Sequence, residues 1–153
     1  MRYFEKISFN QFKKDILADR KIYDNYKLPV RKTEGAAAYD FEALTDFIIL
    51  PGEIKKIPTG VKVNMEIDEV LLLIVRSSMG YKNNVRLCNQ VGVIDSDYYN
   101  NSDNEGHIWI RLKNEGEKPY VVKQGDGIIQ GIFIKYLKVD EEKNEFKDRT
   151  SNY

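Results

Sequence analysis

FIILPGEIKKIPTGVKVNM, Phe47 to Met65, decides the fold class. Its apolar residues alternate weakly with polar ones, and Pro51-Gly52 and Pro58-Thr59-Gly60 cut it into pieces too short for an amphipathic helix. Weak alternation between such turns is the pattern of short, half-buried strands. The same texture begins near Leu28 and continues downstream. LLLIV, Leu71 to Val75, is an unbroken apolar run of strand length, as expected for a strand buried on both faces. HIWIRL, YVV and IIQGIFIKYLKV complete the series, separated by the turn stretches NEGEKP and QGDG. Many short strands joined by polar turns predict an all-β protein: a sandwich, a jelly roll or a compact barrel.

The ends read differently. In SFNQFKKDILA, Ser8 is placed as an N-cap with Gln11 three positions on, and Phe12, Ile16 and Leu17 follow at helical spacing, which predicts one short helix. The chain is therefore divided into an N-terminal helical extension (1–27), a β core (28–138) and a C-terminal arm (139–153). The arm, ending DEEKNEFKDRTSNY, is charged and poor in apolar residues, so it is expected to be mobile. At 153 residues one domain is the default.

Composition narrows the partners. Lys plus Arg and Asp plus Glu stand at 24 each, so no bulk field draws the protein to nucleic acid or to a membrane surface, and an anionic ligand needs a local cluster. Cys88 and His107 are each the single residue of their kind, which excludes an intrachain disulfide and a thiolate zinc cage. No stretch approaches the roughly 18 apolar residues of a membrane span, and the first residues carry no signal-peptide run. A cytoplasmic protein with no direct nucleic-acid or membrane partner is expected.

Four stretches carry candidate chemistry. In RSSMGYKNN, Arg76 to Asn84, a guanidinium precedes Ser77, Ser78 and Gly80; this is either a phosphate clamp, with backbone N–H groups around Gly80 completing an anion nest, or an ordinary turn. In NQVGVIDSDYY, Asn89 to Tyr99, a strand ends in Asp95, placed as a base. Asn89 and the strand backbone through Val93 and Ile94 offer donors and acceptors to a nucleobase edge, and Tyr98 offers a flat wall for a sugar. The alternative is a hairpin whose aspartates hold a turn. In KLPVRKTEGAAAYDF, small residues lead into Asp40. In QGDGIIQGIF, Gln130 is polar among isoleucines, so it bonds backbone or faces a ligand.

Taken together and in this order, these stretches resemble the trimeric dUTP pyrophosphatase (dUTPase) family. AAAYDF is similar to the first family motif, RSSMG to the second, NQVGVIDSDYY to the third and GDGIIQ to the fourth. The resemblance implies a jelly-roll-like distorted β-barrel, a homotrimer with active sites shared between subunits, and hydrolysis of dUTP to dUMP and pyrophosphate, limiting uracil incorporation into DNA. It implies Asp95 as the base for the attacking water, Gln130 positioning that water, and Asp40 supporting the phosphate and metal region. Arg76, Ser77, Ser78 and Gly80 would bind phosphates; Asn89, Val93 and Ile94 would read uracil; Tyr98 would exclude a 2′-hydroxyl. Mg²⁺ is the implied cofactor, held mainly by phosphates and water and near Asp40, with no direct protein ligand set.

Departures from the family pattern are local. Gly127 stands where the fourth motif has arginine. YNNSDNEG inserts a polar loop where the third motif has a glycine after the tyrosine, with Gly106 available to restore the turn. The fifth motif appears only as DRTSNY, in which Arg149 would meet a γ-phosphate and Tyr153 would stack on uracil. A sister family, dCTP deaminase, needs a glutamate base where Arg111 stands, and an arginine cannot accept that proton. A non-catalytic or moonlighting nucleotide-binding relative is the other alternative.

Overall fold

A computed structural model describes residues 1–151 and 153. The core is built from β2 (Tyr39–Glu42), β6 (Glu69–Ile74), β8 (Gly92–Asp95) and β11 (Gly127–Lys135), which form one antiparallel sheet in the order β2-β11-β6-β8. Against it lies a three-stranded sheet, β4 (Ile54–Pro58), β9 (Trp109–Asn114) and β7 (Val85–Leu87), in the order β4-β9-β7. Two-stranded ladders complete the strands: β1 (Tyr3–Lys6) with β5 (Val61–Asn64), and β10 (Tyr120–Val122) with β3 (Phe47–Ile49). The fold is the all-β, jelly-roll-like one that the sequence predicts, with its ladders interrupted rather than closed into a continuous barrel.

The apolar runs explain the sheet order. β6 carries LLLI between β11 and β8, and Leu71 and Leu73 are buried in the core with Phe41, Ile94, Ile128 and Ile129. Strands covered on both faces need such runs, whereas β9 alternates Ile110 and Leu112 inward with Arg111 outward. β11 stops at Lys135, short of the predicted Val139, because its partner β6 begins at Glu69. Leu137 and Val139 are consequently exposed.

The N-terminal segment contains more than the single predicted helix. α1 (Phe9–Asp15) has Ser8 as its N-cap, with the Gln11 N–H donating to Ser8 Oγ at 3.1 Å. α2 (Arg20–Asn25) is capped by Asp19, which accepts from the Ile22 N–H at 3.0 Å. Both the six-residue α2 and the four-residue β1 are too short to show periodicity in sequence. Ile7, Phe12, Tyr26 and Leu44 form a small second core that holds this segment to the barrel.

The inserted polar loop joins these parts. Lys62 Nζ, almost fully buried, donates to Asn100 Oδ1 at 2.7 Å and to Glu105 at 3.0 Å, while Glu105 accepts from the Ser8 N–H and hydroxyl at 2.6 and 2.7 Å. Gly106 does restore the turn: its φ is +90°, and a Cβ there would lie 2.9 Å from the Tyr98 carbonyl oxygen. Gly106→Ala is expected to destabilise the protein by about 1–3 kcal/mol, read from chemical denaturation. A loss within about 0.5 kcal/mol, typical of unremarkable surface sites, would show that this turn relaxes freely.

His107 follows that loop and is fully buried. Its Nε2 accepts the Gly60 N–H at 2.9 Å, so Nδ1 carries the proton and donates to Asp15 at 2.6 Å. Burial lowers the imidazole's proton affinity below the ordinary value of 6.5, although Asp15 and Glu105 oppose this; Lys56 acts with burial. Because the unfolded histidine takes up a proton as pH falls through 6.5 while the folded one resists, the stability it contributes is intact above that pH and declines below it. A thermal-midpoint profile should therefore drop on acidification from about pH 7 to 5, and His107→Gln should flatten that part of it. An unchanged slope in the variant would assign the drop to other groups.

Candidate active site

The two sheets deliver the predicted site residues to two places. At the first, β8 is an edge strand, paired with β6 on one side, so the outward backbone groups of Gly92 to Asp95 are available to a ligand. A pocket of about 160 Å³ opens along this edge and is lined by Asn89, Val93, Ile94, Asp95, Tyr98, Arg149 and Tyr153. Ile94 packs its side chain into the core and offers only backbone there, whereas Val93 is exposed. Gln90 adopts φ +65°, and the Val91 N–H donates to the Asn89 carbonyl at 2.7 Å, so Asn89 sits on a tight turn with its side chain exposed.

Tyr98 lies on a short 3₁₀ turn, Ser96–Tyr98, and is buried. Its hydroxyl donates to the His107 carbonyl at 3.0 Å and accepts from Asn104 Nδ2 at 2.8 Å. Burial raises the phenol's proton affinity, partly offset by bonds from Ser151 and Asn104, so the hydroxyl stays protonated at neutral pH. The Tyr153 ring stands edge-on to Tyr98 at a centroid separation of 5.9 Å.

At the second place, Asp40 on β2 and Gln130 on β11 are direct cross-strand partners. Arg76 Nε lies 3.3 Å from Asp40 Oδ1. Gln130 Nε2 donates to the Val75 carbonyl at 3.1 Å, which settles its backbone partner and leaves its Oε1 as an acceptor. Ser77 and Ser78 open a helical turn in which the Met79 and Gly80 N–H groups both donate to the Arg76 carbonyl at 3.0 and 3.2 Å. In this structure the Gly80 N–H is bonded within the turn, and Ser77 and Ser78 at its start are exposed. Gly127 also acquires a reason. A Cβ there would fall 2.2 Å from an Arg76 nitrogen, so the Arg76 side chain lies over the space that a residue at 127 would fill.

The register shows how far apart these places are. On β6, Asp95 pairs with Val70 and Gln130 with Ile74. Four residues of strand separate the pairs by roughly 13 Å along the axis, before the two strand spacings are added. Groups that share one water must each lie about 3 Å from it. One chain therefore does not bring Asp95 and Gln130 to the same water.

The arm supplies a further difference. It is exposed through residue 148, and its last described residues are tied down by polar contacts and by the Tyr153 ring against Tyr98. Arg149 Nε donates to Asp97 Oδ1 at 2.8 Å and its Nη2 bonds Asp95, so within one chain this guanidinium sits on the pocket carboxylates and not beside Arg76. The Ser151 N–H donates to Asp103 at 2.8 Å. Asn104 and Ser151 give no signal in the sequence because they lie in polar stretches without periodicity, whereas Asp97, one of the aspartates read as holding a turn, also bonds Arg149. Cys88 is a free, half-buried thiol beside Leu87, and Arg111 points outward from β9.

An exposed sheet edge beside an aromatic wall, together with a separate guanidinium and hydroxyl turn, defines a jelly-roll protein of the nucleotide-handling class. A sequence-family model described as dUTPase matches residues 24–153. The deoxyuridine 5′-triphosphate nucleotidohydrolase of Lactococcus lactis subsp. lactis is 44% identical over 127 residues, covering 82% of this chain and 85% of the relative. The enzyme of that name from Haemophilus influenzae Rd is 35% identical over 127 residues, covering 81% and 80%. Among solved structures, a dUTPase from Streptococcus mutans superposes with a TM-score of 0.73 at 39% identity, covering 90% of this chain and 98% of its own. A dUTPase from phage phi11 of S. aureus, described with a structural Mg(II) ion, shares the fold at a TM-score of 0.69 and 18% identity, covering 95% and 97%. This chain belongs to the dUTPase family.

Proposed function

We propose that this protein hydrolyses dUTP to dUMP and pyrophosphate as a homotrimer, with each site assembled from more than one copy. The observation that carries the shared site is the separation of Asp95 from Gln130 and Arg76 along β6. Asp95 of one copy accepts the proton of the attacking water, and Gln130 of a neighbour orients that water through its free oxygen. Arg76, Ser77 and Ser78 hold the phosphates, with Arg76 exchanging its Asp40 contact for a bidentate grip on phosphate oxygens. Asn89 and the open edge of β8 pair with uracil, whose donor and acceptor pattern is the reverse of cytosine's at N3 and C4. A site built for one leaves buried groups unpaired against the other, enough for about 10⁴-fold discrimination. Tyr98 walls off the 2′ position of the sugar.

Mg²⁺ fits a site of this kind. Asp40 is the carboxylate paired with Arg76 at the start of the phosphate-binding turn, and among the described residues no group of three or more His, Cys, Asp or Glu side chains is assembled to hold a metal alone. The ion would be carried mainly by phosphate oxygens and water, supplying charge neutralisation at the reacting phosphate. Among the described residues no helix is long and apolar enough to cross a membrane. With Cys88 free, a cytoplasmic setting suits the chain.

The test is pyrophosphate release from dUTP, dCTP, dTTP and UTP, with and without Mg²⁺. Release confined to dUTP and dependent on Mg²⁺ is expected. Ammonia release from dCTP would support the deaminase, and binding of a non-hydrolysable dUTP analogue without turnover would support the non-catalytic relative.

A further inference from the structure

The loop between Tyr98 and β9 carries a buried amide that the mechanism above does not use. Asn104 Oδ1 accepts from Asn101 Nδ2 at 3.0 Å and from the Gly106 N–H at 3.1 Å, which fixes the orientation of the amide plane. Its Nδ2 then faces three acceptors: the Tyr98 hydroxyl at 2.8 Å, the Ser151 hydroxyl at 3.1 Å and the His107 carbonyl at 3.2 Å. Two hydrogens must serve all three. The Ser151 and Tyr98 hydroxyls also lie 3.3 Å apart, closing a triangle between the sugar wall, the inserted loop and the arm.

We propose that Asn104 is a positioning residue that sets the depth of the Tyr98 ring and seats the arm through Ser151, so that exclusion of ribose and docking of the arm are one coupled event. The inference rests on the reading of Tyr98 as the sugar wall. The tyrosine hydroxyl is its only polar handle, and its two strong bonds come from the inserted loop and the residue that follows it. Removing one donor frees the ring to retreat by the small distance that admits a 2′-hydroxyl. Ser151 occupies the remaining side of the same hydroxyl only when the arm is docked, and Tyr98 is therefore held most firmly in that state. Asp103, which accepts the Ser151 N–H, holds the arm's backbone to the same loop.

Asn104→Asp keeps the acceptor used by Asn101 and Gly106, loses the N–H groups, and puts in their place a carboxylate oxygen that repels the His107 carbonyl and draws the Tyr98 proton away from it, so the tyrosine hydroxyl leaves its native bonding. The ratio of kcat/KM for dUTP to that for UTP should fall by about 3- to 10-fold, the yield of one net hydrogen bond. The change should come from improved use of UTP, with KM for dUTP nearly constant. Ser151→Ala, on the arm and outside the core, should lower the same ratio, and the two losses should not add in the double variant. Fluorescence of Trp109, the single tryptophan, reports arm docking, since it lines pockets with Tyr153. Wild-type protein that does not prefer dUTP over UTP overturns the underlying reading of Tyr98. If Tyr98→Ala lowers the ratio while both Asn104→Asp and Ser151→Ala keep it, the wall stands and the coupling is overturned. Should Asn104→Asp fail to fold, Ser151→Ala decides: an unchanged ratio rejects the proposal.

Discussion

Asp95→Asn is expected to lower dUTP turnover by about 10²–10⁴-fold while leaving the fold in place. The substitution keeps the shape of the side chain and removes its capacity to take a proton. Asp95 ends β8, where its backbone pairs with Val70, and its side chain is 43% exposed, so no core packing depends on the carboxylate. The variant also weakens the contact with Arg149, which retains Asp97. Pyrophosphate release and a thermal melt measured on the same preparation check both halves of the expectation. Turnover within a few fold of wild type would remove Asp95 as the base.

The second large effect is complementation. Arg76→Ala removes the phosphate grip and Asp95→Asn removes the base, so each variant alone should be nearly inactive. If every site takes its base from one copy and its guanidinium from another, unfolding the two together and refolding them restores intact pairs. In a 1:1 mixture roughly a quarter of the sites receive both wild-type residues, because each is present with a probability of about one half in a cyclic assembly. Activity should then return to that fraction of wild type. A site closed within one chain predicts nothing beyond the sum of the parents, since neither chain carries both residues. The register of β6 with β8 and β11 favours the first result.

Several residues were legible from local pattern alone. Ser8 caps its helix as the SFNQ spacing predicts, and LLLIV becomes the buried centre of the main sheet. Asn89, Asp95 and Tyr98 line one pocket because a strand and its following turn place neighbours in sequence close in space. Gln130 illustrates the limit. Its polarity in an apolar strand signals that it needs a partner, yet only the pairing of β11 with β6 shows that the partner is the Val75 carbonyl. Gly127 is similar: a missing side chain reads as a departure from pattern until the Arg76 guanidinium is seen lying over it.

The sequence by itself determined the elements and the residue chemistry: short strands between turn residues, an acid and an aromatic at one strand end, a guanidinium with hydroxyls after another. These depend on period, propensity and spacing, which are local along the chain. Tertiary structure alone decided that these residues form two clusters, that Arg149 lies on Asp95, and that a loop asparagine bonds the tyrosine and the arm together. Strand register and loop contacts join positions far apart in sequence, and their geometry follows from how the sheets pack, which no local pattern encodes.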